Sequence, residues 1–368
     1  MFENLAFIFT VLYILDILWL LNGMHKCVLE NYSFSQGKDV PMVSIVVAAR
    51  NEENNIKECL QSLSEINYPK EKLEVLLVDD RSTDETAKII RTYTEYYSHF
   101  KLIQIKEEGT LLRGKANALA VALDNAQGEI FMFTDADCVV SPEWVLTTIQ
   151  NCKPETGIIG GYTILRAEKT FHAIQALDWL LHFSVSAGIA GHAIPITVIG
   201  NNFTITRKAY AEVGGFRGIP FSVTEDYALV QAVAQQTHLH IKFLISQKTQ
   251  IESLPCATWK QIYHQKKRWG VGALDMIWQG ILIIGLGYVA HLILFFGLFF
   301  VPFSVMLNLF LVKSLVDIFF LWKPIKEFRL FHLLKFFPVF EIYYFLYGLV
   351  FPFLPLFAKN VTWKGRSF

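Results

Sequence analysis

Glu129-Ile130-Phe131-Met132-Phe133-Thr134-Asp135-Ala136-Asp137 is the stretch that decides the fold. Its apolar run is too short for a helix and has the composition of a buried strand, Glu129 to Thr134. It breaks at once into two carboxylates. Upstream, the same pattern occurs twice. Met42 to Ala49 (MVSIVVAA) is a β-branched strand followed by Arg50-Asn51-Glu52-Glu53, and Leu73 to Val78 is a strand ending in Asp79-Asp80. Between the strands, apolar residues fall at helical spacing. Ile56, Cys59, Leu60 and Leu63 mark a helix over Asn51 to Leu63. Thr83 to Tyr96 is a second helix, with Ser82 or Thr83 as N-cap, and Ala116 to Asn125 is a third. Lys101 to Ile105 supplies one more strand. Such alternation predicts an α/β domain, a mostly parallel sheet with helices on both faces. Ligands of these sheets sit at the carboxyl ends of the strands. Here three acidic clusters converge on that edge, where like charges repel unless a cation or a hydrogen-bonding ligand joins them.

The composition describes two materials. Lys+Arg and Asp+Glu are equal at 33 each, which argues against a nucleic-acid partner. Charged residues are only 18% of the chain, against about 25% in soluble domains. Of the 31 Phe, 18 lie in the last 93 residues. Five scattered cysteines without a CxxC pair suggest neither a zinc ribbon nor a disulfide framework. The chain therefore divides into an anchor (1–25), a cytoplasmic α/β domain (40–275) and an apolar membrane region (276–368).

Leu5 to Leu21 is apolar except for Asp16, with Glu3 before it and His25 and Lys26 after it. A secretory signal has the opposite charge order. A retained anchor whose C-terminal end is cytoplasmic fits the positive-inside rule. Met276 to Val312 has no Asp, Glu, Lys or Arg, and extended to Trp322 it holds two spans with a turn near Pro302 to Asn308. Lys323 to Lys335 reads as an amphipathic helix on the inner surface, and Pro338 to Phe357 as a further span. The basic tail (Lys359, Lys364, Arg366) conflicts with that count, and Pro352 and Pro355 suit a re-entrant segment.

The strand ends carry the chemistry. Asp135 and Asp137, two apart, suit a hard divalent ion such as Mg²⁺, which takes one or two carboxylates and completes its shell with water and substrate phosphates. Asp79 and Asp80 suit nucleoside hydroxyls and base; the other account is a turn leading to an N-cap, Asp80-Arg81-Ser82-Thr83, and one Asp can serve the turn while the other serves the ligand. Lys115, in Gly114-Lys115-Ala116-Asn117, stands at a helix start that favours phosphate, or is a plain loop lysine. Thr224-Glu225-Asp226 is either a capped helix start or the site of a general base, Asp226. Gln265, Arg268 and Trp269 share a helix face at i, i+3 and i+4, where Arg can hold a diphosphate and Trp a sugar or lipid. A membrane interface explains the same residues. His172, His182 and His192 lack ligand spacing, and His238 and His240 read as structural.

Taken in order, Val43 to Val47 with Asn51-Glu52, Val78 to Asp84, Asp135-Ala136-Asp137, Thr224-Glu225-Asp226 and Gln265-x-x-Arg268-Trp269 resemble the membrane-bound family 2 glycosyltransferases of GT-A fold. Gly200-Asn201-Asn202-Phe203, Gly214-Gly215-Phe216 and Trp363-Lys364-Gly365-Arg366 add to the likeness. Arg81, where members often carry Gly, departs from it. The resemblance implies an inverting transfer from a nucleotide-diphosphate sugar, a UDP-sugar by preference, with Mg²⁺ or Mn²⁺ as cofactor. It makes Asp226 the catalytic base. It makes Glu52, Asp79, Asp80, Lys115, Asp135, Asp137 and Arg268 donor contacts, with Asp135 and Asp137 also on the metal. Gln265, Trp269 and Glu225 become acceptor contacts. Members of this type range from ceramide glucosyltransferase and carotenoid glycosyltransferases to hyaluronan and cellulose synthases. The short chain with few spans favours a lipid acceptor at the cytoplasmic face of the cell membrane over a processive polymer synthase. Against a transporter, no span shows a polar cluster, Asp317 and Glu341 being the acidic residues there.

Overall fold

A computed structural model describes residues 2–27, 29, 40–194, 200–273, 277–350, 353, 362–363 and 366–367. Helix α1 (Phe2–Lys26) comes first. The alternating series follows: β1 (Val43–Ala49), α2 (Ile56–Ser64), β2 (Leu73–Asp79), α3 (Thr86–Tyr96), β3 (Phe100–Gln104), α4 (Gly114–Asp124) and β4 (Ile130–Asp135). After β5 (Val139–Val140), α5 (Trp144–Gln150), β6 (Thr156–Gly161) and β7 (Thr163–Leu165) comes the long helix α6 (Thr170–Ala190). Then come β8 (Phe203–Thr206), α7 (Arg207–Glu212), α8 (Gly215–Gly218), α9 (Glu225–Gln236), β9 (His240–Leu244) and β10 (Ile251–Ser253). Helices α10 (Trp259–Ala273), α11 (Trp278–Gly297), α12 (Phe303–Glu327) and α13 (Phe337–Val350) follow.

The chain divides into two compact units. One comprises Met1–Cys27, Leu165–Ile196 and Pro255–Lys359; the other comprises Val28–Ile164, Thr197–Leu254 and Asn360–Phe368. Thus α6 and α10, inside the stretch 40–275, group with the apolar helices.

The second unit is built on a seven-stranded sheet of order β3-β2-β1-β4-β8-β6-β9. Strands β3, β2, β1 and β4 run parallel, and β8 runs antiparallel to both of its neighbours. Val43, Ile45 and Val47 of β1 pack with Val75, Leu77 and Met132 and with Ile56, Cys59, Leu60 and Leu63 of α2 in one buried cluster. Burial on both faces is why these strands read as continuous apolar runs. Two helices start later than expected. Asn51 takes a positive φ of 53°, so α2 begins only at Ile56. Neither Ser82 nor Thr83 caps α3. Asp84 Oδ1 instead accepts from the Thr86 amide (3.1 Å) and hydroxyl (2.6 Å).

Among the described residues of the first unit, four helical segments are long and apolar enough to cross a membrane: Phe2–Lys26, Trp278–Gly297, Phe303–Glu327 and Phe331–Val350. The break between the second and third falls at 298–302, earlier than expected, with Pro302 as the N-cap of α12. No separate surface helix occupies Lys323 to Lys335. Helix α12 continues through Pro324, and a 3₁₀ turn (Phe331–Phe336) leads into α13. Pro352, Pro355, Lys359 and Lys364 lie outside the described residues.

The expectation that the spans hold no polar cluster is corrected. Lys313 Nζ lies 2.7 Å from Asp317 Oδ2 and 2.8 Å from Glu341 Oε2, all three side chains being buried. Tyr13 donates to Asp317 Oδ1, and Ser314 Oγ to Glu341 Oε2 at 2.9 Å. The pattern was hidden because Lys313 and Glu341 are 28 residues apart and on different helices. Helix α6, absent from the sequence expectations, packs on α1. A Cβ on Gly23 would stand 1.8 Å from the Gly188 carbonyl oxygen, so the crossing needs glycine. His192 is not incidental: it stacks on Trp19 at 3.9 Å, and its Nε2 bonds the Trp19 carbonyl.

Candidate active site

The loops after β1 and β2 form one cross-linked rim. The Asn51 amide donates to Ser82 Oγ (3.1 Å), and the Thr83 amide donates to Asn51 Oδ1 (2.9 Å). The Glu53 amide donates to Asp84 Oδ2, and the Glu85 amide to Glu53 Oε2. Arg50 donates to the carbonyls of Asp80 and Arg81. Asp79 and Asp80 are buried at the base of this rim. Asp79 Oδ1 accepts from the Ser82 amide, and Asp80 Oδ1 pairs with Arg81 Nε, each at 3.2 Å. Arg81 reaches on to Glu108 (3.4 Å) from a backbone with φ of 57°. That conformation is uncommon outside glycine and explains why Gly suits this place. Glu52 is also buried, with Oε2 accepting from Asn55 Nδ2 at 2.9 Å, so it shapes its own turn.

Register fixes the next pair. Ala49 pairs with Asp79 and Ala48 with Asp135, so the two carboxylates end the strands on either side of β1. Two strand spacings put their backbones about 10 Å apart. Ala136 is buried in the core beneath the edge, whereas Asp135 and Asp137 are partly exposed.

Lys115, on the first turn of α4, lies 2.7 Å from Asp135 Oδ1 and 3.4 Å from Glu225 Oε1. Burial alone would lower its pKa, but Asp135 and then Glu225 hold it above the ordinary amine range. Its ammonium is therefore a fixed cation between the β4 edge and the start of α9. Next to Glu225, Asp226 accepts from the Gly200 amide through Oδ2 (2.6 Å) and from its neighbour Tyr227's amide through Oδ1 (2.9 Å). Burial, then repulsion from Glu225, pushes the Asp226 carboxyl up to about 6, against the pull of Lys115. A carboxylate with such a pKa is suited to take a proton near neutral pH. Thr224 makes no side-chain cap to α9, so the capped-turn account of Thr224-Glu225-Asp226 is not what is seen.

Support for Asp226 comes from residues noted only as part of a resemblance. Asn202 accepts from Trp144 Nε1 (3.1 Å) and donates to the carbonyls of Tyr162 and Thr249 (2.9 Å each). Asn201 Oδ1 accepts from Thr163. This buried node sets the Gly200 amide against Asp226, and a Cβ on Gly200 would come within 3.1 Å of Oδ2. An asparagine pair following a glycine was the available signal.

The structure thus brings Lys115, Asp135, Glu225 and Asp226 into one electrostatic group, with Asp79, Asp80, Asp137 and Glu52 on the adjoining strand ends. Gln265, Arg268 and Trp269 belong to the other unit. They lie half-buried on α10, where Trp269 packs 5.6 Å from both Trp179 and His182. His182, read as incidental, is therefore part of the setting of that motif.

Among the described residues, no group of three or more His, Cys, Asp or Glu side chains could hold a metal ion. The pair Asp135 and Asp137 still fits a Mg²⁺-type ion. Such ions bind through one or two hard carboxylates, and phosphates and water complete the shell.

Residues 44–228 match the model of glycosyl transferase family 2, which is half of the chain. The chain is 28% identical over 242 residues to the probable glycosyltransferase YdaM of Bacillus subtilis, covering 64% of this chain and 56% of that protein. It is 29% identical over 246 residues to a beta-monoglucosyldiacylglycerol synthase of Nostoc sp., covering 63% and 49%. It thus spans about half the length of these curated relatives. The mannosyltransferase PcManGT of Pyrobaculum calidifontis, solved in complex with GDP-Man and Mn²⁺, aligns over 98% of this chain and 100% of its own. The TM-score is 0.61 at 18% identity, a likeness of fold. The strand-end carboxylates, the sheet order and the family match lead to one conclusion: this chain belongs to glycosyl transferase family 2 and has the GT-A fold.

Proposed function

We propose that the protein is an inverting glycosyltransferase that moves a sugar from a nucleotide-diphosphate donor, a UDP-sugar by preference, to a hydroxyl of a lipid acceptor at the cytoplasmic membrane face. The observation that carries this reading is the chain Asp135–Lys115–Glu225, which ties the strand-end carboxylate to the turn bearing Asp226. Asp79 and Asp80 take the nucleoside. Asp135 and Asp137 would hold a Mg²⁺ or Mn²⁺ ion, which when bound neutralises charge on the diphosphate. Lys115 adds a fixed positive charge beside them. Asp226, oriented by the Gly200 and Tyr227 amides, accepts the acceptor hydroxyl's proton as its oxygen attacks the anomeric carbon and the nucleoside diphosphate leaves. Glu52 shapes the nucleoside loop, and Glu225 keeps Lys115 near the acceptor side. Gln265, Arg268 and Trp269 contribute the diphosphate and acceptor contacts. The 40–275 stretch carries the reaction, flanked by the apolar segments 1–25 and 276–368. The lipid acceptor is supported by the four candidate spans among the described residues and by the relative named as a synthase of monoglucosyldiacylglycerol. The cytoplasmic placement is supported by basic residues at the ends of α1 (His25, Lys26) and α12 (Lys326).

The test uses membranes containing the protein, Mg²⁺ or Mn²⁺, and a panel of radiolabelled UDP- and GDP-sugars. Label entering the organic phase as one species is the expected result. Alcohol-insoluble, high-mass label would replace this reading with a processive synthase. No movement of label from any donor would overturn it.

A further inference from the structure

Helix α6 presents one stripe to α10: Phe171, Gln175, Asp178 with Trp179, and His182, a spacing of 4, 3 and 4 that keeps to one helix face. Each member touches α10 or its entry. Phe171 meets Trp259 edge-on at 4.8 Å. Gln175 clamps Cys256, donating to its carbonyl (3.0 Å) and accepting from its amide (2.8 Å). Trp179 and His182 pack on Trp269. At the centre, the Lys266 ammonium bonds Asp178 Oδ2, with both side chains 2% exposed. His182 Nε2 lies 3.2 Å from the same ammonium. That ammonium also sits 4.4 Å over the Trp269 ring and 4.9 Å over the Tyr347 ring of α13.

A buried ion pair adds little stability, because losing two hydration shells offsets most of the attraction. Its best-attested use is register: one arrangement satisfies both charges, and any other leaves one bare. Lys266 lies between Gln265 and Arg268 in the motif. Each residue turns the helix by about 100°, so the roll that buries Lys266 also sets where Arg268 and Trp269 face.

We propose that Asp178 and Lys266 are positioning residues, whose buried ion pair fixes the rotation of α10 and so the presentation of Arg268 and Trp269. The assignment of donor and acceptor contacts to those two residues rests on the function proposed above; the register itself does not.

The test compares the full-length protein with Asp178→Leu/Lys266→Met and with the charge swap Asp178→Lys/Lys266→Asp. The first readout needs no substrate. Protein labelled with 5-fluorotryptophan gives a ¹⁹F spectrum in which the Trp269 line is identified by its loss in Trp269→Phe. The apolar double variant is expected to stay folded, with wild-type thermal stability, while the Trp269 line shifts or splits. The swap is expected to move the line back toward its wild-type position. The second readout is donor KM against kcat for whichever sugar nucleotide wild type turns over. The apolar variant is expected to raise KM at least tenfold, and the swap to recover most of that. An unmoved Trp269 line overturns the proposal. So does an apolar variant whose activity falls only in step with its stability. A shifted line together with a wild-type protein inert toward every donor leaves the register standing and removes the glycosyltransferase reading.

Discussion

The strand-end site and the helical bundle gather the same residue types and treat them differently. At the sheet edge, Asp79, Asp80, Asp135, Asp137, Glu225 and Asp226 exceed their basic partners, and Asp135 and Asp137 are partly exposed. In the bundle, Lys313 is enclosed between Asp317 and Glu341, which also accept from Tyr13 and Ser314 respectively. The site proposed to take up a cation and a diphosphate keeps charge accessible. A cluster that holds helices together closes on itself. Accessibility and enclosure, rather than the presence of charge, separate the proposed reacting groups from the structural ones here.

The comparison can be broken first at the proposed base. Asp226→Asn is expected to lower transfer by about 10² to 10⁴-fold, the usual range for a general base, with nucleotide binding by calorimetry unchanged. Near-wild-type turnover would remove Asp226 from the mechanism. On the bundle side, Lys313→Met strands two buried carboxylates. It should destabilise the protein by about 3 to 5 kcal/mol, seen as a large fall in apparent Tm, and adding Asp317→Leu and Glu341→Gln should recover most of it. If Lys313→Met alone is tolerated, the cluster is not closed.

Two smaller effects sharpen the contrast. Asp226 titrates near 6, and a base works only when ionised, so transfer should fall as pH drops through about 6. A folded pKa raised above the unfolded value favours the native state at low pH, and that benefit is lost as pH rises through about 6. Asp226→Asn should therefore raise the apparent Tm at pH 8, by the equivalent of about 3 kcal/mol, and leave it nearly unchanged at pH 4. The smallest effect is at Arg81. Arg81→Gly relieves a positive φ but removes the Arg81–Asp80 ion pair, so it should raise stability by no more than about 1 kcal/mol while changing donor KM two- to threefold. The measurements are thermal shift and initial rates.

Much of the site was legible because each carboxylate follows an apolar run that can only be a buried strand: Leu73 to Asp79 and Ile130 to Asp135. What joins those ends was not. The bond from the Gly200 amide to Asp226 spans 26 residues and depends on Asn201 and Asn202 being buried. Ser82 and Thr83 looked like caps because capping residues also serve neighbouring loops, and here they bind Asn51. Helix α6 escaped notice because it is apolar around most of its circumference and lies within a stretch of mixed composition. Lys323 to Lys335 misled because its charges mark where α12 ends rather than a helix on the surface.

The enclosed cluster also bears on the order in which charge can be buried as the chain is made. Lys313 and Asp317 are one turn apart on α12, so that pair is matched within a single helix as soon as the helix is made. Glu341 emerges later, on α13, and finds its cation only once α12 is in place. Tyr13, made first, waits on α1 for Asp317. Assembly therefore has an order written into it: α13 closes the cluster last, and a chain ending before Glu341 would leave the cluster open.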